Sequence, residues 1–169
     1  MRNHSKNMSA FQRLCANYLA YNCPFAGIRR YLLNVAGINF PSSSKINEKV
    51  FFSTNKIIIG NNCFVNRYVM FDEGLRGGQI TIESNVYIGM KTLFCAVSHE
   101  IGEPSFRAGK AYAKDIFVGE GTWIGANVTI LPNVKIGKGC IIAAGAVVNK
   151  DCEDNCLYAG VPAKLIKRL

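Results

Sequence analysis

An aliphatic side chain recurs every six residues through the C-terminal half of this chain, at Val118, Ile124, Ile130, Ile136, Ile142 and Val148. Four places after each stands a small or β-branched residue, namely Thr122, Val128, Val134, Cys140, Ala146 and Cys152, and Gly119, Gly125 and Gly137 follow directly on three of the aliphatics. The same register shows earlier as Ile59-Gly60 with Cys63, Val65 with Val69, Ile82 with Val86, and Ile88-Gly89 with Thr92, with one slip between Phe71 and Ile82. A period of six does not fit the 3.6-residue helix. It fits a short strand and a turn, with one inward aliphatic per strand and glycine or asparagine where the backbone needs a positive φ. Units of this kind bury their apolar side only against their neighbours, so they stack into a parallel β-helix. Spacing alone leaves the handedness open, and the crossover rule favours a right-handed path.

The rest of the chain is organised around that body. Residues 1–45 read as an N-terminal arm and helical segment, and residues 46–169 as the β-helix with a C-terminal tail. Met1 to Ser9 is polar and basic and is expected to be a loose arm; Phe11 to Gly37 predicts one or two helices broken near Pro24 and Gly27. Leu14 to Ile28 carries no charge, but it is too short to span a bilayer and is interrupted by Asn17, Asn22 and Pro24. Its aromatic residues, with Arg29 and Arg30 after them, suit either a helix packed on the body or one lying on a membrane surface.

The chain has seven cysteines, an odd number, with no Cys-x-x-Cys pair, which points to packing in a reducing compartment rather than to disulfides or a metal site. No secretory signal is apparent, so a cytoplasmic protein is expected, at the inner face of the membrane if the N-terminal segment touches lipid. The formal net charge of +9 implies an anionic partner. Basic residues gather near the C-terminus, but without interleaved aromatics or a recognised module, and nucleic acid is not the expected partner.

The repeat breaks after Phe94 and resumes near Ile116, leaving an excursion loop over about 97–114. Long interruptions of a rigid solenoid tend to carry function. His99 stands at the start of this one, and the only other histidine is His4 in the arm.

Ser98-His99-Glu100-Ile101-Gly102, Arg107-Ala108-Gly109, the run from Val118 to Val128 and the closing Ala159-Gly160-Val161-Pro162-Ala163-Lys164 together carry a family resemblance. The combination is similar to the maltose and galactoside O-acetyltransferase branch of the hexapeptide-repeat acyltransferases, especially its polysaccharide-modifying relatives, over roughly Ile59 to Lys167. The resemblance implies an all-β fold: a left-handed parallel β-helix with three flat faces, a short N-terminal helical segment and one long excursion loop. It implies a homotrimer and transfer of an acetyl group from acetyl-CoA to a hydroxyl of a sugar or glycan precursor. It gives His99 the part of general base, a part an imidazole suits near neutral pH. Glu100 either orients that imidazole or is a solvated loop charge.

By the same resemblance Trp123, Gly125, Ala126, Ala144, Asn149 and Lys150 belong to the CoA side, with Lys164 and Lys167 near the nucleotide phosphates. Trp123 fits a subunit interface equally well. On the acceptor side Asn66 matches the first position of the family's Asn-x-Asn element, while Tyr68 replaces the second. The family's sugar-binding N-terminal domain has no clear counterpart here, so maltose or galactoside is not the expected acceptor. Asn66 and Asp72 remain candidate hydrogen-bond partners for a sugar. Two other functions compete with this one. A metal enzyme of the β-helical carbonic anhydrase kind needs three histidines per site, which this chain lacks, so no metal is expected. A non-catalytic β-helical scaffold stays open, because fold does not dictate function.

Overall fold

A computed structural model describes residues 8–74 and 78–169. His4 and most of the expected arm lie outside the described residues. The end of that arm is not loose. Met8 is buried in the core, and Ser9 caps the first helix through a reciprocal pair of hydrogen bonds with Gln12.

The body is a parallel β-helix, as the period of six predicts. Its first coil comprises β1 (Lys45–Ile46), β2 (Phe51–Phe52) and β3 (Ile57–Ile59), and its second β4 (Phe64–Val65), β5 (Met70–Asp72) and β6 (Ile80–Ile82). The third has β7 (Tyr87–Ile88), β8 (Leu93–Cys95) and, after the inserted β9 (Val97–Ile101) and β10 (Ala108–Ala113), β11 (Ile116–Val118). Next come β12 (Trp123–Ile124), β13 (Thr129–Ile130) and β14 (Lys135–Ile136), then β15 (Ile141–Ile142) and β16 (Val147–Val148). The chain closes with β17 (Cys156–Ala159) and an antiparallel β18 (Lys164–Arg168). It visits three faces in rotation: β1, β4, β7, β12, β15 and β17 on the first, β2, β5, β8, β13 and β16 on the second, and β3, β6, β11 and β14 on the third.

In-register stacking puts like residues above one another. The second face buries Phe52, Phe71 and Phe94 as a ladder of stacked rings, with centroids 5.3 and 4.9 Å apart, continued by Ile130 and Val148. All six aliphatics of the C-terminal period are buried, as are the six residues four places after them. Cys140 is one of the latter, and Cys63 holds the equivalent place behind Ile59; both are buried packing residues.

The glycines behind the aliphatics are explained by close approach rather than by φ. A Cβ on Gly89 would lie 2.5 Å from the Gly125 carbonyl carbon, one on Gly125 2.6 Å from the Ala144 nitrogen, and one on Gly119 2.6 Å from the Gly137 carbonyl carbon. Positive φ falls elsewhere in the turns, at Asn62, Asn85, Asn127, Asn133, Gly121, Gly139 and Gly145 among others.

The helical segment closes the N-terminal end of the prism. α1 (Ala10–Leu14) runs into a π-helical stretch, Cys15–Ala20, and α2 (Ala26–Val35) follows. The break falls at Cys23–Phe25, as Pro24 requires, while Gly27 lies inside α2 and interrupts nothing. The segment satisfies the first coil's open edge. The Asn17 amide donates to the Phe52 carbonyl (2.7 Å) and its oxygen accepts from the Phe52 N–H (3.0 Å). Arg29, buried, donates to the carbonyls of Ile46 and Cys23. An edge that would otherwise offer free backbone groups is thereby covered.

Candidate functional site

The predicted residues sort onto two different edges of the prism. Where the first face turns into the second, Asn66, Gly89, Gly125 and Ala143 occupy equivalent positions on successive coils, and Met90, Ala126 and Ala144 follow them. Along this edge runs a groove of about 500 Å³, with Asn66, Tyr87, Met90, Trp123, Ala126 and Ala144 among its walls. Five of the residues predicted for ligand contact (Trp123, Gly125, Ala126, Ala144 and Asn66) therefore come together. Their floor is shallow for a physical reason: glycine and alanine leave the coil backbone reachable, and Trp123 (54% exposed) and Tyr87 (43%) stand up as its apolar wall. Asn66 is fixed from within, its Oδ1 accepting the Arg67 N–H at 2.8 Å and the Asn47 amide at 3.4 Å.

Where the second face turns into the third, the register aligns Asp72 with Cys95, and Leu131 with Asn149. Asp72 is tied down by the Gly74 N–H (3.2 Å) and Asn149 is exposed, with Lys150 beside it. The excursion leaves from this edge. It is not an irregular loop but an antiparallel hairpin, β9 against β10, with His99 opposite Ala111 and Ser98 opposite Tyr112. Gly102 and Gly109 make the hairpin narrow: a Cβ on Gly109 would meet the Glu100 carbonyl oxygen at 2.8 Å, and one on Gly102 would clash with the Phe106 carbonyl oxygen.

His99 projects from the hairpin, exposed. Successive side chains of a strand point to opposite sides, so Glu100 faces away from His99, and no hydrogen bond joins the two. Within one chain Glu100 is not placed to orient the imidazole. Lys164 and Lys167 lie on the closing β18, exposed, with Lys164 opposite Ala159 and Lys167 opposite Leu157, on the face that carries Trp123. Asn149 and Lys150 are thus the CoA-side candidates that the structure separates from the groove, with the whole second face between.

Three residues escaped sequence reasoning. Tyr87 and Met90 line the groove one coil before Trp123 and Ala126, but the inserted hairpin doubles the 18-residue spacing seen between Trp123 and Ile141 and hides the equivalence. Glu73 is the third, fully buried where the second face turns, with Oε2 accepting from the Ser53 hydroxyl (2.8 Å) and the Thr54 N–H (3.2 Å) and Oε1 without a partner among the described residues. A glutamate beside an aspartate gives no sequence sign of such burial. Among the described residues no group of three or more His, Cys, Asp or Glu side chains is placed to hold a metal ion.

Residues 115–150 match the family described as bacterial transferase hexapeptide (six repeats). The galactoside O-acetyltransferase of Escherichia coli is 31% identical over 125 residues, 73% of this chain and 60% of the relative. The chain spans about half the length of several curated relatives it matches. Among solved structures, a hexapeptide-repeat acetyltransferase of Vibrio cholerae complexed with acetyl-CoA superposes with a TM-score of 0.80 at 30% identity, covering 94% of this chain and 87% of that one. A galactoside acetyltransferase in complex with CoA gives 0.79 at 28% identity, over 93% and 80% of the two chains. The shared architecture is the left-handed β-helix, against the general crossover preference.

Proposed function

The chain belongs to the hexapeptide-repeat acetyltransferases, and from that premise we propose that it transfers an acetyl group from acetyl-CoA to a hydroxyl of a sugar or glycan precursor, with His99 as general base. The observation that carries this reading is the groove of Tyr87, Met90, Trp123, Gly125, Ala126 and Ala144, considered beside the acetyl-CoA bound by the similar Vibrio cholerae protein. Its small side chains and exposed backbone suit a long, thin pantetheine arm, and Lys164 and Lys167 on the adjoining β18 suit the nucleotide phosphates.

The acceptor hydroxyl loses its proton to the His99 imidazole as its oxygen attacks the thioester carbonyl. The C–O bond forms, the C–S bond breaks, and the CoA thiolate leaves to take up the proton. Backbone N–H groups beside the groove are the donors available to the developing oxyanion. Asn66, at the groove's N-terminal end on the second coil, and Asp72 are the acceptor-side groups. Because groove and hairpin leave from different edges, the site is completed between subunits of a homotrimer, the groove edge of one chain meeting the hairpin edge of the next. Seven free cysteines fit a cytoplasmic, reducing setting.

The test is His99→Ala assayed by thiol release from acetyl-CoA with a panel of glycan acceptors. His99 is exposed and outside the packing columns, so the fold and CoA affinity should stay near wild type. Turnover should fall by about 10² to 10⁴-fold. Retention of a tenth of wild-type turnover would remove His99 as the base.

A further inference from the structure

The row of residues that walls the groove continues past its small side chains into charged ones. In-register pairing places Glu48, Arg67, Met90, Ala126 and Ala144 at one position of the same turn on five successive coils. Met90, Ala126 and Ala144 line the groove, and Arg67 follows Asn66 at its N-terminal end. The Lys91 N–H donates to the Arg67 carbonyl at 3.1 Å, which brings Lys91 to the same end. The cofactor makes no claim on these cations, because its proposed phosphate contacts, Lys164 and Lys167, lie on β18 at the opposite end of the first face.

The Arg67 guanidinium is anchored from one side only. Its Nε donates to Glu48 Oε1, and Glu48 Oε2 lies 3.7 Å from Nη1 of Arg29, which is buried and fixed by the carbonyls of Ile46 and Cys23. The hydrogen bond from Arg67 is the largest influence holding the Glu48 carboxyl below its ordinary range, so the pair stays ionised. An exposed ion pair with nothing behind it is ordinary surface chemistry; here a buried cation fixes the carboxylate that fixes Arg67. Neither Nη of Arg67 has a partner among the described residues, and the side chain is 54% exposed. Asn66 uses its Oδ1 on the Arg67 N–H and the Asn47 amide, leaving its own amide hydrogens without a partner among the described residues. Lys91 is exposed, and its side chain enters no hydrogen bond or ion pair among the described residues. The acceptors at this end are thus engaged within the protein, and what remains is donors. A neutral hydroxyl both gives and takes hydrogen bonds, whereas a carboxylate or phosphate only accepts them and matches a guanidinium fork with two oxygens.

Resting on the acetyl-transfer reading, we propose that the sugar acceptor carries an oxyanion, a carboxylate or a phosphate, and that Arg67 binds it through its Nη groups with Asn66 and Lys91 beside it. Arg67 is then a specificity-determining residue: it selects an acidic or phosphorylated sugar over a neutral one and takes no part in the proton transfer.

The full chain, saturated with CoA so that the nucleotide site is filled, is titrated calorimetrically with glucose, glucuronate and glucose 1-phosphate. At least one of the two anionic sugars should bind about tenfold more tightly than glucose, and which of them does so tells carboxylate from phosphate. Arg67→Gln should bring that sugar to the level of glucose, with CoA affinity unchanged as a check on folding. Arg67→Lys keeps the charge without the fork and should recover part of the preference; it carries the comparison if Arg67→Gln does not fold. Equal binding of the three sugars, binding of none, or a preference that survives loss of the Arg67 guanidinium would overturn the proposal. Failure of the acetyl-transfer reading shows differently, as a chain that does not bind acetyl-CoA; failure of this inference alone leaves acetyl-CoA bound and the sugars undiscriminated.

Discussion

Glu73 is the side chain whose chemistry is furthest from what its place in the sequence suggests. Burial is the largest influence on it and pushes its carboxyl up to about 7, against the opposing pull of the Ser53 hydroxyl and the Thr54 N–H. Its folded-state proton affinity exceeds that of the unfolded chain. The stability it contributes is therefore fully present below about pH 4.5 and is lost as pH rises through about 7. Glu73→Gln removes the charge and keeps an acceptor for Ser53 and Thr54. It should raise stability by about 1–3 kcal/mol at pH 8 and change little at pH 4.5, as read by urea unfolding at the two pH values. An equal effect at both would mean that the carboxyl is not neutral in the fold. Its neighbour Asp72, a candidate for sugar binding, ends a strand and accepts the Gly74 N–H.

At the scale of the coil, two kinds of glycine do different work. Gly89 has an ordinary φ and no room, whereas Gly145 has φ +74° and nothing within 4 Å of a built Cβ. Gly89→Ala should cost about 1–3 kcal/mol, because two backbones must separate, and should also disturb the groove it lines. Gly145→Ala should cost only about 1 kcal/mol, the price of a left-handed conformation. Thermal unfolding of both, with acetyl-CoA titration of Gly89→Ala, checks the order. Tyr68, Lys49 and Lys91 hold positive φ at the same turn as Gly145 in earlier coils, so the turn accepts a side chain. The Ile-Gly pairs were visible in the sequence, but whether glycine there answers to dihedral or to contact was not, because contact depends on the coil above.

At the scale of the molecule, one chain sets the groove and the His99 hairpin on different edges. The first face also leaves an outward column of Phe64, Tyr87, Trp123, Ile141 and Leu157, with Phe64 and Tyr87 stacked at 4.9 Å. A flat apolar column of this kind favours burial, and the proposed homotrimer would supply it. Sedimentation should give a mass near three chains. Subunits carrying His99→Ala, mixed with subunits carrying Ala126→Trp and Ala144→Trp under conditions that exchange trimers, should recover part of the lost turnover. No recovery despite demonstrated exchange would place each site within one chain.

Sequence alone determined the β-helix, because a six-residue period admits few other structures and each hit is a local matter of one inward side chain. It also isolated His99, by a break in that period, and picked out Trp123, Gly125, Ala126 and Ala144 by resemblance. Tertiary structure decided what depends on residues distant in the chain. It brought Tyr87 and Met90 into the groove across the 36 residues separating Tyr87 from Trp123, its partner in the next coil. It folded the excursion into a hairpin and turned Glu100 away from His99. It buried Glu73, whose desolvation comes from neighbouring coils. It set the groove and the hairpin on separate edges, because the path around three faces, rather than distance along the chain, fixes which side chains share an edge.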